Sequence, residues 1–344
     1  MRSPAPFLSP SQAARQLGVS PKALRLYEQR GLVTPARTAA GYRAYAPAEI
    51  NRAAEIVALR RLGLSLAQVA RVLGGDAEDL GPALANHQKT LEDRGRELAV
   101  TVEKVKRLRA DLAQGKAPAA GELSRLLGTP AKAGVALELP WPWGGERFEL
   151  HDIRALNFIV GPLGSGKTRF AERLAQALPG ATLLGLDRAA DGGAAARARM
   201  EADPSLRSRI DASLTWLVGE GAMRSEALVA LLAGLEAAEP TAVVVDMVEQ
   251  GLDHATQEAL VAHLRRRESP ARPLFLMTRS SAILDLAAVG ADEIILFCPA
   301  NHSPPTVVAP YPGSPGYEAV ATCLASPDVR ARTEGVIAWR PRTA

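Results

Sequence analysis

The stretch NFIVGPLGSGKTRFAERLAQAL, residues 157 to 178, passes from an apolar run through a glycine-rich loop into an amphipathic segment. Residues 157 to 160 predict a buried strand, and residues 169 to 178 predict a helix. Between them, Gly161 to Thr168 have the spacing G-x-x-x-x-G-K-T. A strand, a glycine loop and a helix in this order begin a parallel α/β unit. We therefore expect an α/β fold with a mainly parallel sheet over residues 135 to 344.

The glycine loop has the chemistry of a phosphate-binding loop. Its glycines let backbone N–H groups surround phosphates, and the helix that follows adds the positive end of its dipole. Lys167 would reach the outer phosphates, and Thr168 would offer its hydroxyl to Mg²⁺. The sequence therefore predicts binding of ATP or ADP with Mg²⁺. The predicted nucleotide-binding residues in this loop are Gly161, Gly164, Ser165, Gly166, Lys167, Thr168 and Arg169.

A second apolar run, Ala242 to Val245, ends in Asp246 and predicts another buried strand. A carboxylate at the end of such a strand can hold the magnesium ion of a nucleotide, directly or through water. We therefore predict Thr168 and Asp246 as the metal-binding pair. The next residues, EQGLDHATQEALVAHL from 249 to 264, resemble the loop and helix that follow this aspartate in ABC-type ATPases, including their G-L-D.

The chain departs from the ABC-type pattern at three places. That family has a glutamate directly after the magnesium aspartate, where this chain has Met247, which cannot orient a water molecule. Its later switch loop carries a histidine, where this chain has Arg279. Only 79 positions separate Lys167 from Asp246, which leaves little room for the helical subdomain that couples transporters to a membrane partner. The resemblance therefore implies nucleotide binding with weak or absent hydrolysis.

Several residues near these motifs keep two interpretations open. Glu249 could replace the missing glutamate, and it is the one candidate for a catalytic residue. The sequence does not assign a catalytic role to any residue. Arg279 either contacts the γ-phosphate, as predicted for nucleotide binding, or is a surface arginine. Trp141 and Trp143 either stack on adenine or anchor the preceding segment. The residues from 218 to 221, VGEG, are a weak version of the ABC signature loop.

The N-terminal stretch SPSQAARQLGVSPKALRLYEQRGL, residues 9 to 32, contains two helix starts of one design. Ser9 and Ser20 are each placed to cap a helix whose first residue is proline. Gly18 lies in the turn between them, so the pattern predicts a helix-turn-helix. The following stretch TPARTAAGYRAYAP, residues 34 to 47, predicts a short hairpin, which would act as a wing that contacts phosphates.

The first 75 residues are strongly basic, with 11 Lys or Arg against three acidic residues, whereas the whole chain has a net charge of +4. This favours an anionic partner such as nucleic acid, although a solvated charged face would give the same count. The run from Leu8 to Gly75 resembles the DNA-binding domain of MerR-family regulators, through LRLYE at 24 to 28 and GYRAY at 41 to 45. The resemblance implies double-stranded promoter DNA and RNA polymerase as partners. The predicted DNA-binding residues are Ser20, Lys22, Arg25, Tyr27, Arg37, Tyr42, Arg43 and Tyr45.

A heptad pattern follows the basic domain. Leucine or valine recurs every seventh residue at 84, 91, 98, 105 and 112, which predicts a coiled-coil helix from about Leu80 to Ala113. The interleaved positions are mostly polar, so a lone amphipathic helix on its own domain is the alternative. In the MerR family this helix forms an antiparallel dimer contact, which implies a homodimer. MerR metal sensors carry cysteines near its end and this chain has none there, so we do not expect metal sensing.

These patterns predict a multidomain chain. We expect a winged helix-turn-helix domain over 1–76, a coiled-coil helix over 77–114, a linker with one short helix over 115–134, and an ABC-type P-loop domain over 135–344. The two cysteines are too few for a disulfide framework, and no apolar run predicts export or a membrane span, so we expect a cytoplasmic protein. The leading hypothesis is a transcription regulator that responds to ATP. An active ATPase localised to DNA, and a regulator that senses another ligand or protein, are the alternatives.

Overall fold

The structure is a computed structural model of the chain, and it describes residues 7–38, 40–114, 116, 134–267 and 272–329. The chain divides into two compact units, Met1–Ala131 and Lys132–Ala344. This division falls inside the stretch predicted as a linker. The short helix expected in that linker lies outside the described residues.

The first unit is helical, with one short hairpin. Its described elements are α1 Pro10–Leu17, α2 Pro21–Gln29, β1 Ala36–Arg37, β2 Arg43–Ala44, α3 Pro47–Arg61, α4 Leu66–Leu73 and α5 Leu80–Ala113. The side chain of Ser9 accepts a hydrogen bond from Gln12 N, and that of Ser20 accepts one from Ala23 N. Gly18 ends α1 in the left-handed conformation, with a φ of 66°. The predicted helix-turn-helix and hairpin are therefore confirmed.

One apolar core holds the first unit together. Leu24 from α2 and Tyr45, next to β2, are each 1% exposed, and they pack in the same cluster as Ile56 from α3 and Val69 from α4. Burying a large apolar side chain contributes about 1.5–3 kcal/mol, so these contacts fix the second helix and the hairpin in one domain.

The second unit alternates strands and helices. Its described strands are β3 Val135–Glu138, β4 Arg147–Leu150, β5 Leu156–Val160, β6 Ala181–Leu184, β7 Ala242–Val245, β8 Leu274–Met277, β9 Glu293–Phe297 and β10 Thr306–Val308. Its described helices are α6 Lys167–Ala177, α7 Ala194–Ala202, α8 Pro204–Glu220, α9 Glu226–Leu235, α10 His254–Arg265 and α11 Tyr317–Cys323. Two short 3₁₀ turns span Leu186–Ala189 and Leu286–Ala288.

A six-stranded sheet has the order β10-β9-β5-β8-β7-β6. All neighbours pair in parallel except β10, which is antiparallel at one edge. The strand before the glycine loop, β5, and the strand before Asp246, β7, are therefore separated by β8 alone. Because their carboxyl ends lie at the same edge of the sheet, the two motifs meet there, and the predicted α/β P-loop fold is confirmed.

Both faces of the sheet are covered. Phe158 belongs to a cluster that includes Leu217 from α8 and Leu260 from α10, whereas Ile159 belongs to a cluster on the other face that includes Phe170 from α6. Successive residues of one strand thus face opposite layers. Strands that are buried on both faces read as continuous apolar runs, which explains the sequence of β5 and β7.

Candidate nucleotide site and DNA-binding surface

The glycine loop runs from the end of β5 into α6 in a conformation that needs glycine. Gly164 has a φ of 78°, and Gly166 has a φ of 86°. A Cβ atom at position 166 would lie 2.6 Å from Cη2 of Trp143, which is closer than real Cβ contacts. The indole of Trp143 therefore packs directly on the loop backbone and leaves room only for glycine at position 166.

Lys167 is the first residue of α6, and its side chain points back into the glycine loop. Its Nζ atom donates hydrogen bonds to the carbonyl oxygen of Gly161 at 2.8 Å and that of Pro162 at 2.7 Å. The side chain is only 8% exposed, and this burial lowers the pKa of the Lys167 ammonium. The cation is therefore held inside the predicted phosphate-binding loop.

The predicted metal-binding pair is brought together across the sheet edge. The Oγ1 atom of Thr168 donates a hydrogen bond of 3.2 Å to Oδ2 of Asp246. Asp246 is 3% exposed, and its Oδ1 atom has no hydrogen-bond partner among the described residues. Burial raises the pKa of this carboxyl, so its ionised form needs a compensating cation. A hydroxyl beside a buried carboxylate with an unfilled oxygen fits Mg²⁺.

Arg188 lies beside these groups, although no pattern in the sequence predicts it there. It lies in the 3₁₀ turn after β6, and its guanidinium donates hydrogen bonds to the carbonyl oxygens of Asp246 and Met247, both at 2.7 Å. Met247 has a φ of 46°, a left-handed conformation that costs a residue with a side chain about 1–2 kcal/mol. The parallel pairing of β6 with β7 brings Arg188 close to Asp246 and Met247. No sequence motif around Arg188 predicts this contact.

Glu249 and Arg279 form a link between two loops at the sheet edge. Glu249 is 3% exposed, and its Oε1 atom accepts a hydrogen bond of 2.9 Å from the backbone N–H of Arg279. This carboxylate therefore joins the loop after β7 to the loop after β8. Burial is the main cause of the lowered pKa of Lys167, and the charge of the partly buried Arg279 adds to it.

The two tryptophans before β4 have different environments. Trp143 is 3% exposed and donates from Nε1 to the carbonyl oxygen of Ser303 at 3.0 Å, so it anchors the loop. Trp141 is 69% exposed, and Cζ of Arg169 lies 4.7 Å from its ring centroid. A cavity of about 450 Å³ lies on this side of α6. It is lined by Pro140, Thr168, Arg169, Glu172, Arg173 and Gln176.

The weak signature loop is placed differently from the prediction. Residues 218 to 220 form the last turn of α8, and Gly221 ends that helix in the left-handed conformation. The loop lies after Gly221, and Ser225 caps α9 by accepting a hydrogen bond from Leu228 N. The prediction of a loop at residues 218 to 220 is therefore wrong, because their carbonyl and N–H groups continue the helix.

The predicted DNA-binding residues fall into exposed and buried sets. Arg25, Arg37 and Tyr42 are exposed, and Tyr42 at the hairpin tip is 74% exposed. The side chain of Lys22 lies outside the described residues. The hydroxyl of Ser20, which is partly buried, is used to cap α2.

Two of the predicted contacts are corrected by the structure. Tyr27 is 5% exposed and Tyr45 is 1% exposed, because both rings fill the core of the first unit. Glu28 of α2 accepts hydrogen bonds from the hydroxyl of Tyr45 and, at 2.6 Å, from Nε of Arg43. Burial, with the added effect of Glu28, raises the pKa of Tyr45. Tyr45 therefore ties the hairpin to α2, whereas Arg37 and Tyr42 are exposed on the hairpin and Arg43 is partly exposed.

The predicted long helix is confirmed as α5, with the predicted ends. Leu84, Leu91 and Leu112 from the heptad are about half exposed, with fractions of 48%, 53% and 52%. Val105 is 38% exposed, and the side chain of Leu98 lies outside the described residues. Exposed leucines at heptad spacing are the pattern that a partner helix covers in a coiled coil. The coiled coil itself stays a prediction.

Among the described residues, no helix has the length and apolar character that a membrane span requires. No group of three or more His, Cys, Asp or Glu side chains in the same residues could hold a metal ion.

Comparisons with known proteins agree with this division into two units. Residues 8–75 match the family described as MerR HTH family regulatory protein, and residues 156–285 match a family described as AAA domain. The second description differs from the ABC-type resemblance. Both describe a P-loop nucleotide fold, which is the class that the sheet and the glycine loop define.

Curated relatives match a small part of this chain. The transcriptional regulator BrlR of Pseudomonas aeruginosa is 40% identical over 93 residues, which are 25% of this chain and 34% of BrlR. The "Probable heavy metal-dependent transcriptional regulator" of Haemophilus influenzae is 33% identical over 102 residues, which are 28% of this chain and 80% of that protein. The chain thus spans about a third of the length of BrlR and most of the second relative.

Among solved structures, the chain is similar to the SMC head domain from Thermotoga maritima, at 12% identity and a TM-score of 0.36. The match covers 51% of this chain and 97% of that one.

The fold and the site define a helix-turn-helix transcription regulator joined to a P-loop nucleotide domain. More narrowly, the chain belongs to the MerR family of transcription regulators.

Proposed function

We propose that this chain is an ATP-responsive transcription regulator, in which nucleotide binding to the second unit modulates how the MerR-type unit binds or distorts promoter DNA. The observation that carries the proposal is the meeting of Thr168 and Asp246 beside the loop that holds Lys167. The residues proposed to bind phosphate and Mg²⁺ thus lie in the same chain as a DNA-binding unit.

DNA would be bound by α2 and the hairpin of the first unit. Arg25 on α2 and Arg37, Tyr42 and Arg43 in the hairpin are the candidates with side chains at the surface. Arginines on a helix suit the major groove, and hairpin residues suit phosphates, which position a protein without specifying sequence. Double-stranded promoter DNA is therefore the proposed partner. RNA polymerase as a second partner and the cytoplasm as the location are proposed from the family alone.

The regulator would act as a homodimer joined through α5. The exposed leucines at 84, 91 and 112 support this, because exposed apolar side chains at heptad spacing gain stability when a second helix covers them. A two-fold dimer would read two half-sites on DNA.

ATP hydrolysis would be weak or absent in this site. Met247 follows Asp246, and its thioether cannot act as the base for a water molecule. Glu249 is occupied by the backbone N–H of Arg279, which favours a structural role for it over a catalytic one. Slow hydrolysis would suit a regulator, because the fraction of sites occupied by ATP then follows the concentration of ATP.

Lys167 and the backbone N–H groups of the glycine loop would hold the phosphates of a bound nucleotide. Mg²⁺ bound by Thr168 and Asp246 would neutralise phosphate charge. The exposed ring of Trp141 would stack on the base, with Arg169 moving from that ring toward the phosphates. Arg279, whose charge already acts on Lys167, would contact the outermost phosphate. A nucleotide can shift the protein only by its differential affinity for two states, which is typically about 1–3 kcal/mol in allosteric proteins.

A titration of purified protein with fluorescent ATP and ADP, with Mg²⁺ and with a chelator, tests the nucleotide site. We expect binding that Mg²⁺ strengthens and that Lys167→Ala abolishes. Arg207→Ala, which removes an exposed arginine of α8, is the matched control and should bind as the wild type does. No binding by the folded wild-type protein would refute the proposed function.

A further inference from the structure

Arg188 joins two segments that are far apart in sequence. Its guanidinium donates to the carbonyl oxygen of Gly185 at 3.0 Å, in its own turn, and to those of Asp246 and Met247 at 2.7 Å. Arg188 is partly buried, and this burial lowers the pKa of its guanidinium, against the opposite effect of the charges of Asp246 and Glu249. One cation therefore holds the backbone directly after the predicted magnesium ligand.

The two clamped carbonyl groups belong to successive residues. In an extended chain successive peptide groups point to opposite sides, so a single guanidinium cannot reach both carbonyls. The left-handed conformation of Met247, with a φ of 46°, turns both carbonyls toward Arg188. A residue with a side chain disfavours this conformation, so surrounding contacts must maintain it.

The turn at Met247 also sets the direction of the chain on both sides. Asp246 before it is fixed by its own N–H, which donates to Leu184 O at 2.9 Å. Val248 after it donates to Met277 O at 3.0 Å. Between these two fixed points, Arg188 holds the Asp246 carbonyl, and the Met247 carbonyl is held both by Arg188 and by the backbone N–H of Gln250, which donates to it at 2.9 Å.

We propose that Arg188 is a positioning residue for the magnesium carboxylate, which it orients by holding Met247 in the left-handed conformation. The inference rests on the proposed nucleotide-binding function. Arg188 acts through the backbone and contacts neither Asp246 Oδ1 nor Oδ2, so the carboxylate keeps the free oxygen that Mg²⁺ requires. Without the clamp, Met247 relaxes to a negative φ and the carboxylate turns away from Thr168.

The first test compares ATP affinity with Mg²⁺ and with a chelator in wild type, Arg188→Ala, Arg188→Lys and Arg207→Ala. We expect Arg188→Ala to reduce the strengthening of ATP binding by Mg²⁺ about tenfold, the lower end of the effect of losing an outer support of a metal ligand. Arg188→Lys keeps the charge but donates to fewer carbonyls. Its strengthening of ATP binding by Mg²⁺ should therefore lie between that of wild type and that of Arg188→Ala. The Arg207→Ala control should keep the wild-type ratio.

The second test uses nucleotide-free protein and so does not depend on metal binding. Met247→Gly removes the cost of a left-handed side chain, so it should raise the unfolding midpoint when Arg188 is present. In the Arg188→Ala background Met247 already has a negative φ, so Met247→Gly should not raise the unfolding midpoint. The double variant should also recover part of the magnesium effect, because glycine adopts this conformation freely.

The outcomes separate this inference from the proposed function. If wild-type protein binds no nucleotide, the proposed function fails, while the cycle in nucleotide-free protein still decides whether Arg188 holds Met247. If wild type binds ATP with Mg²⁺ and Arg188→Ala keeps the full magnesium effect, the positioning role is overturned. Equal shifts by Met247→Gly in both backgrounds would also overturn it.

Discussion

Adding one methyl group at two positions of the glycine loop separates backbone strain from packing. Gly164→Ala and Gly166→Ala both place a Cβ atom on a left-handed residue, with φ values of 78° and 86°. They differ in their surroundings. Apart from its chain neighbours, no atom of the described residues lies within 4 Å of a Cβ at position 164, whereas a Cβ at position 166 would meet Trp143 Cη2 at 2.6 Å and Pro142 Cδ at 3.1 Å.

The expected magnitudes follow from this difference. Gly164→Ala should lower the free energy of unfolding of the second unit by about 1–2 kcal/mol, the cost of the left-handed conformation alone. Gly166→Ala should lose that amount and a further ~1–3 kcal/mol for overpacking against the indole. The phosphate site should also weaken more in Gly166→Ala, because the clash is relieved by displacing the loop backbone.

Urea unfolding followed by tryptophan fluorescence measures this difference, since all four tryptophans lie in the second unit. Trp143→Phe removes the indole atoms that the new methyl group meets, so Gly166→Ala in that background should cost nearly the same as Gly164→Ala. If both alanine substitutions cost the same in the wild-type background, the packing of Trp143 on the loop does not decide the requirement for glycine.

The remaining predictions concern the other parts of the molecule. Leu91→Glu should convert a dimer to a monomer in sedimentation experiments without loss of helix, whereas the control Val100→Glu, exposed but off the heptad, should stay dimeric. Glu28→Gln should weaken DNA binding equally for all sequences in fluorescence anisotropy, because Arg43 loses the carboxylate that orients it. Burial raises the folded pKa of Asp246, so its contribution to stability is present below the unfolded pKa and is lost as the pH rises through the folded pKa. Asp246→Asn should therefore raise the unfolding midpoint of nucleotide-free protein at neutral pH, but not below about pH 3.9. Met247→Glu should raise ATP turnover in a phosphate-release assay; an unchanged rate would show that this position does not limit hydrolysis.

Local signals in the sequence were sufficient to predict the helices, the strands and the position of the glycine loop between β5 and α6. Ser20 followed by proline predicts the start of α2, because a cap and its helix are adjacent in the chain. The glycine loop and Asp246 are predicted to lie close together, because both follow buried parallel strands whose carboxyl ends share one edge of the sheet. These predictions needed only periodicity and neighbouring residues.

The features that the sequence did not predict depend on tertiary contacts. Arg188 reaches Met247 only because β6 pairs with β7, and its own surroundings in the sequence are those of an ordinary turn. Tyr27 and Tyr45 are amphipathic, and their positions near the wing fit a surface role as well as a core role. Packing decides between the two, and here it places both rings in the core.

The central claim is that nucleotide in the second unit controls the DNA-binding unit. The most direct test is the affinity of the full chain for an operator selected from random DNA, labelled at both ends so that one titration reports occupancy and bending. The titration is run without nucleotide and with ADP, ATP or a non-hydrolysable analogue. The account predicts that ATP and the analogue change the operator affinity by about fivefold or more, or change the bend angle of the DNA, relative to nucleotide-free protein. Lys167→Ala should remove the change. Equal affinity and equal bending in all four conditions would contradict it.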